Sequence, residues 1–231
     1  MHQTAKMNCQ NFFDCYGKYY LPPDQVKVIE IGSQDVNGSL REFVPKNFEY
    51  VGVDFVAGKG VDVILDDPYR LPFESESADI VVSSSCFEHS EMFWLLFLEI
   101  MRILKPRGLF YLNVPSNGLF HRYPVDCWRF YPDSGNALVT WANRNQMNVT
   151  MLESYTSAQF NGLWNDFVAV FLKDKAYVND FADRITNTFK DFFNGLNVDK
   201  GEFLNQRQES EDWRKLMYIS RVALNQIRIK V

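Results

Sequence analysis

Short, β-branched apolar runs alternate with helical patterns over the first three quarters of the chain. Residues 26–31, VKVIEI, are short and branched enough to form a buried strand. The run breaks at Gly32, crosses a polar turn containing Asn37 and Gly38, and resumes at Leu40 with helix-like residues. Residues 49–54 predict a second strand, a third ends at Leu65, residues 77–83 predict a fourth and residues 109–114 a fifth. Between the last two, residues 91–104 are apolar nearly all round. Trp94, Phe97, Ile100, Met101 and Leu104 fall there at helical spacing, which predicts a buried crossover helix. Lys105-Pro106-Arg107-Gly108 punctuates its end. Residues 137–146 predict another helix, and residues 147–154 and 166–173 two more strands. Strands and helices joined by short connections call for a mostly parallel sheet with helices on both faces, an α/β doubly wound architecture.

The flanks differ from this middle. Residues 1–25 carry Phe12-Phe13, Tyr19-Tyr20 and Pro22-Pro23. They predict a short helix covering the domain, either closing near a ligand or making no contact with one. From Ala176 onward, Val178, Phe181, Ile185, Phe189 and Phe192 recur at three- and four-residue steps, one apolar helical face. Ser210 can cap a second helix carrying Trp213, Leu216, Ser220, Leu224 and Ile227 on one side. The division expected is a cover segment at 1–25, a ligand-binding domain at 26–175 and a C-terminal helical extension at 176–231. The tail packs on the same domain or, alternatively, forms a homodimer contact. No internal repeat or low-complexity tract interrupts the chain.

Composition narrows the function classes. At 231 residues with 46% hydrophobic and 16% aromatic residues, one sizeable core can form. A net charge of −5 supplies no basic field to collect phosphates, so a nucleic-acid partner is not expected. Cys9, Cys15, Cys86 and Cys127 show no C-x-x-C pair or zinc spacing and read as reduced thiols. No signal peptide and no membrane span are evident, since residues 92–98 are too few to cross a bilayer. A cytoplasmic protein is expected.

The chemistry begins at the first turn. Strand, glycine-bearing turn and helix-like residues open a nucleotide-binding unit. The G-x-G-x-x-G fingerprint is absent, which counts against an NAD-dependent oxidoreductase. Glu30 ends the strand two residues before Gly32. A carboxylate there suits a cationic ligand and repels a pyrophosphate. S-adenosylmethionine, with an α-ammonium and a sulfonium, fits. Asp54, about 20 positions beyond the turn and at the end of the second strand, is placed to accept from two ribose hydroxyls. Of the two carboxylates after the third strand, Asp67 can accept from an adenine amino group and Asp66 can cap the turn, or the reverse.

Together these stretches resemble the class I S-adenosylmethionine-dependent methyltransferases, and among them the group that includes quinone-biosynthesis and glycan-associated enzymes. The similarity runs in order through VIEIGSQDVNG, YVGVD, DDPYRLPF, ADIVVSSSCFEH and EIMRILKPRGLFYLNVPS, covering about residues 26–115. It implies a seven-stranded Rossmann-like sheet whose last strand runs antiparallel. It also implies S-adenosyl-L-methionine as cofactor, held by Glu30, Gly32, Ser33, Gln34, Gly38, Asp54, Phe55, Asp66, Asp67, Pro68, Ser84 and Ser85. Two departures stand out. Gln34 replaces the middle glycine of the usual G-x-G-x-G loop, and the L-K-P-G-G turn reads LKPRG.

The acceptor is sought in PSNGLFHRYPVDCWRFYPD, residues 115–133. Methyl transfer to an aliphatic hydroxyl needs a positioned base. Two of the three histidines, His89 and His121, follow neighbouring strands and are the candidates. His89 reads equally as a helix-start residue contacting the donor. His121, Arg122, Tyr123, Asp126, Trp128 and Arg129 mix aromatic faces with forked donors and a carboxylate, as a sugar requires. Trp128 and Phe130 could instead fill core, with Arg129 on a surface carboxylate. The expected activity is O-methylation of a sugar hydroxyl in glycan or polysaccharide synthesis. The alternatives are a quinol, phenol or other small-molecule acceptor, and a catalytically silent module that binds an adenosine ligand or a partner. No spacing compels a metal among Glu88, Asp126, Asp133 and the histidines, and none is expected.

Overall fold

The structure, a computed structural model, describes residues 2–20, 26–160 and 162–224. Pro22, Pro23 and Ile227 of the sequence patterns lie outside them. In chain order the strands are β1 (Lys27–Ile31), β2 (Glu49–Asp54), β3 (Val63–Ile64), β4 (Ala78–Ser84), β5 (Leu104–Pro115), β6 (Thr150–Ser157), β7 (Asp166–Leu172), β8 (Phe192–Asn197) and β9 (Lys200–Leu204). The α-helices are α1 (Gln3–Tyr16), α2 (Phe93–Ile103), α3 (Ser134–Arg144), α4 (Ile185–Thr188) and α5 (Glu211–Ala223). One sheet holds all nine strands in the order β3-β2-β1-β4-β5-β7-β6-β8-β9. The pairs among β1 to β5 are parallel, and β7 runs antiparallel to both β5 and β6.

The central strands are buried on both faces, which explains their continuous apolar runs. Alternate residues serve two cores. Val28, Ile80, Val82, Leu109 and Tyr111 pack with Phe12 and Tyr16 of α1. Ile29, Ile31, Val81, Phe110 and Leu112 pack with Phe97 and Ile100 of α2 and Leu138 of α3.

Three expectations need correction. The helix read after β1 is a single 3-10 turn, Leu40–Phe43, because Val44 precedes Pro45 and is held extended at ψ 135°. The N-terminal α1 fills the sheet face that such a helix would cover. The sheet has nine strands rather than seven. The tail is only partly helical. Val178 to Phe192 form a 3-10 turn, the four-residue α4 and the start of β8, and β8 and β9 extend the sheet beyond β6. Ser210 does cap α5, accepting from the Trp213 backbone N–H. No residue of α5 is buried, however, so Trp213, Leu216 and Leu224 do not form the packed face expected of them.

The tail pattern fails at a buried carboxylate. Glu153 of β6 has no exposed surface, and its oxygens accept from Tyr16 Oη (2.6 Å), Ile185 N (2.6 Å), Thr186 N (3.0 Å) and Thr186 Oγ1 (2.9 Å). Those backbone donors would be committed elsewhere in a continuous helix. Glu153 thus starts α4 and ties it to β6 and α1. Glu153→Leu strands the buried Ile185 and Thr186 N–H groups and the Tyr16 hydroxyl, while the Thr186 hydroxyl keeps Asn197 Oδ1. It should cost about 3 kcal/mol or more. At about 2–4 °C per kcal/mol for this length, Tm should fall by roughly 6–12 °C. A calorimetric shift under about 2 °C would remove Glu153 from this role.

Candidate active site

The strand order reverses between β1 and β4, and in open α/β sheets a crevice forms beyond the carboxyl ends at such a point. A cavity of about 950 Å³ occupies it here. Its wall takes Glu30 and Gly32 from the end of β1, Asp54 and Phe55 from β2, Ser84, Ser85 and Cys86 from β4, and Pro115 from β5.

Gly32 has φ +79°, and a Cβ on it would lie 2.7 Å from Cys86 Cβ. Only glycine allows the β1 and β4 turns to approach this closely. Its N–H and that of Ser33 both donate to Val53 O, which binds the turn to β2. Asp54 is largely buried, with Oδ2 accepting from Gln34 N (3.3 Å) and Oδ1 from Val56 N (3.1 Å). One lone pair on each oxygen remains for a ligand.

Glu30 faces α1 beneath the turn. Burial pushes its carboxyl up to about 7, against the opposing effects of the Tyr50 hydroxyl bonded to it, the Arg41 charge and the Leu40 N–H. Asp54 raises it further, and Cys9 of α1 lies within its field.

Glu88 and His89 belong to a 3-10 turn, Phe87–His89, beyond β4. The Glu88 carbonyl accepts from Cys127 N (2.8 Å) and Trp128 N (3.2 Å), fastening this turn to the loop after β5. The His89 Nδ1–H donates to Val125 O. Its imidazole is kept below the usual range, chiefly by burial and also by His121. The His89 and His121 rings meet edge to face with centroids 4.9 Å apart. Burial pushes Glu88 up to about 8.

Most expected donor-site positions line the cavity: Glu30, Gly32, Gln34, Gly38, Asp54, Phe55, Pro68, Ser84 and Ser85. Ser33 is buried behind the wall. Asp66 and Asp67 are exposed and outside the wall, and it is Asp67 that caps the turn, accepting from Tyr69 N (2.8 Å). Leu65, Pro68 and Tyr69 line that end instead.

Of the expected acceptor residues, His121, Arg122 and Tyr123 face the cavity, while Asp126, Trp128 and Arg129 build the loop behind them. Asp126 accepts from Arg129 (2.6 and 2.9 Å) and from His121 N (2.7 Å). The guanidinium holds its carboxyl down at about 2. Trp128 Nε1 donates to Ser90 O (2.9 Å). The Tyr123 hydroxyl donates across the cavity to Gln34 Oε1 (2.7 Å).

Beyond Leu65 and Tyr69, the sequence pattern gave no site role to His2 or Trp164 of the wall. Glu88 was legible only as a generic carboxylate. His2 reaches the wall from the N-cap of α1, its Nε2 2.9 and 3.0 Å from the oxygens of the buried Asp166. Trp164 stands between His2 and His121, with ring centroids 5.9 and 5.0 Å away.

Residues 28–112 match the family model described as a methyltransferase domain. Over this stretch the chain carries a methyltransferase domain, as the resemblance to the class I S-adenosylmethionine-dependent enzymes implies. No curated protein matches its sequence. Among solved structures, it is similar to Burkholderia thailandensis 1,6-didemethyltoxoflavin-N1-methyltransferase, which holds its substrate and S-adenosylhomocysteine. That match has 13% identity and TM-score 0.52 over 71% of this chain and 79% of that one. A chain from the complex of the Haloferax volcanii Trm112 methyltransferase activator and a methyltransferase matches at 16% identity. Its TM-score is 0.50 over 73% of this chain and 94% of that one. The [4+2]-cyclase SpnF matches at 11% identity and TM-score 0.50 over 71% and 81%. These likenesses concern the fold, which methyltransferases and a cyclase share.

S-adenosylmethionine is the methyltransferase's cofactor, and the wall fits it. A carboxyl lies under the turn for a cationic end, a glycine permits close backbone approach, and a half-satisfied carboxylate is set about one strand spacing away.

The Glu30 shift carries a sign. A carboxyl whose pKa is raised on folding contributes most below its unfolded value near 4.5 and loses that contribution as pH rises toward 7. The ligand-free enzyme should therefore lose several degrees of Tm between pH 4.5 and 7.5. Glu30→Gln should reduce that slope in a pH series of melts, with buried Glu88, pushed up to about 8, supplying the rest with the same sign. An identical slope in both proteins would show that Glu30 is not its source.

Proposed function

We propose that this methyltransferase transfers the methyl group of S-adenosylmethionine to a hydroxyl of a sugar, free or within a glycan. The donor's methionine end lies over Gly32, Gln34 and Gly38 with its ammonium toward Glu30. The ribose lies on Asp54 beside Phe55, and the adenine runs toward Pro68 and Tyr69. The sulfonium then faces Ser84, Ser85 and the acceptor half of the cavity.

In the transfer, the acceptor oxygen bonds to the methyl carbon while the carbon–sulfur bond breaks and its electron pair stays on sulfur. The hydroxyl proton must leave in the same event. An aliphatic hydroxyl resists this, so it needs activation where a phenol would need less. The observation that carries the proposal is the convergence of Glu88, His89 and His121, whose ligand-capable atoms all lie within 4.8 Å of one another on the cavity wall. We assign activation of the hydroxyl to this group.

Trp164, Tyr123 and Arg122 support a sugar in particular. An aromatic face takes the C–H side of the ring, and polar groups meet its hydroxyl rim. A long isoprenoid acceptor would want a continuous apolar lid, and at this end Glu88, His89, His121 and Arg122 interrupt the apolar wall. No helix among the described residues is long and apolar enough to cross a membrane.

Two outcomes test the assignment. Asp54→Ala should weaken S-adenosylhomocysteine binding at least ~10-fold, about 1.4 kcal/mol, by calorimetry; unchanged affinity takes the ribose away from Asp54. In a panel of sugar acceptors assayed by mass increase, His89→Ala should keep donor affinity and lose turnover by ~100-fold or more. Methylation of phenols but of no sugar in the panel would refute the acceptor class.

A further inference from the structure

Glu88 is the most unusual group in the cavity. Its residue is 1% exposed, and neither carboxylate oxygen has a hydrogen-bond partner among the described residues. A buried carboxyl without a donor is costly, and native structures retain one only where something else meets it. The groups facing it worsen the deficit. The His89 Nδ1–H is donated to Val125 O, so the Nε2 facing Glu88 Oε1 at 3.7 Å carries a bare lone pair. His121 Nδ1 lies 3.1 Å from Leu119 O and 3.5 Å from Asp126 Oδ2, both acceptors, so a neutral His121 carries its proton on that nitrogen and leaves Nε2 as its free ligand atom. Apart from the proton that Glu88 itself holds when neutral, one ligand-capable atom from each of the three residues thus gathers within 4.8 Å of the others with no protein donor to satisfy it.

From this convergence we propose that Glu88, His89 and His121 form a binding site for a divalent transition-metal ion at the acceptor end of the cavity. Two imidazoles and one carboxylate select a first-row transition ion over magnesium or calcium, which prefer all-oxygen shells. Three protein ligands with the remaining positions open to the cavity is the arrangement of a catalytic, not a structural, ion. Its supports are already built. Each imidazole gives its other N–H to a backbone carbonyl, and Asp126, fixed by Arg129, stands behind His121. The Glu88 carbonyl, bonded to Cys127 N and Trp128 N, holds the two ligand-bearing segments together.

The role of the ion rests on the sugar assignment above. An open position would take the acceptor hydroxyl, or a pair of neighbouring hydroxyls, and lower the pKa of the one to be methylated. Its proton then passes to solvent as the carbon–oxygen bond forms. His89 and His121 act in that case as ligands rather than as proton acceptors.

The test uses the full chain stripped with a chelator. Zn²⁺ and Mn²⁺ are titrated by calorimetry, and Co²⁺ by its visible absorption, with no acceptor present. A single saturable site with a Co²⁺ ligand-field band is expected. Glu88→Gln and His121→Ala should each weaken binding at least ~10-fold while S-adenosylhomocysteine affinity and Tm show the fold intact. His121 is half-exposed, so its variant serves if Glu88→Gln fails to fold. Absence of any band or heat in the wild type overturns the site, as does binding that survives both substitutions. Cluster-dependent binding without methylation of any sugar, with or without the ion, upholds the site and refutes the sugar assignment instead.

Discussion

The molecule depends on a contact with no room for a side chain. At the point where strand order reverses, the turns leaving β1 and β4 touch, and Gly32 meets Cys86 so closely that an added Cβ would lie 2.7 Å from its Cβ. Both turns use left-handed backbone there, Gly32 at φ +79° and Ser85 at φ +52°. From that contact the two chains diverge to opposite sides, and the crevice between them is the cavity. Asp54 is oriented by the same turn, through Gln34 N. The position of one glycine therefore bears on how Asp54 is presented to the cavity.

Two buried glutamates show how one chain uses the same chemistry in opposite ways. Glu153 accepts from two backbone N–H groups and two hydroxyls, and so serves as a structural joint among β6, α4 and α1. Glu88 is equally buried and accepts from none. Where every lone pair is met, a buried carboxylate specifies the fold. Where none is met, the deficit is open to a ligand, and that is the physical basis for placing the reaction beside Glu88. Glu30 lies between these cases, its burial offset only in part by the Tyr50 hydroxyl, the Arg41 charge and the Leu40 N–H.

The loop after β5 joins these parts. Asp126, Arg129 and Trp128 are spent on holding it against the Phe87–His89 turn, and they free His121, Arg122 and Tyr123 for the wall. The His2–Asp166 pair closes the far side, bringing the start of α1 to the cavity although 164 residues separate the partners in sequence. A methyltransferase fold shared with a cyclase leaves the chemistry to these side chains.

The sequence by itself determined the parallel core. Buried β-branched runs, a crossover helix of uniformly apolar character and a glycine turn between Glu30 and Asp54 are local patterns whose periods and spacings follow from backbone geometry. They were enough to point to the cofactor and to nine of the residues that line the cavity. The tail misled because Val178, Phe181, Ile185 and Phe192 keep helical spacing while Glu153, distant in sequence, takes the backbone donors that a helix needs. The 3-10 turn after β1 was signalled by Pro45, yet the helix covering that face came from the N-terminus. Tertiary structure alone decided that Glu88 lacks a partner, that His2 and Trp164 reach the cavity, and that Asp126 and Arg129 stand behind it. Burial and hydrogen-bond satisfaction are properties of what surrounds a side chain in space, and no spacing along the chain encodes them.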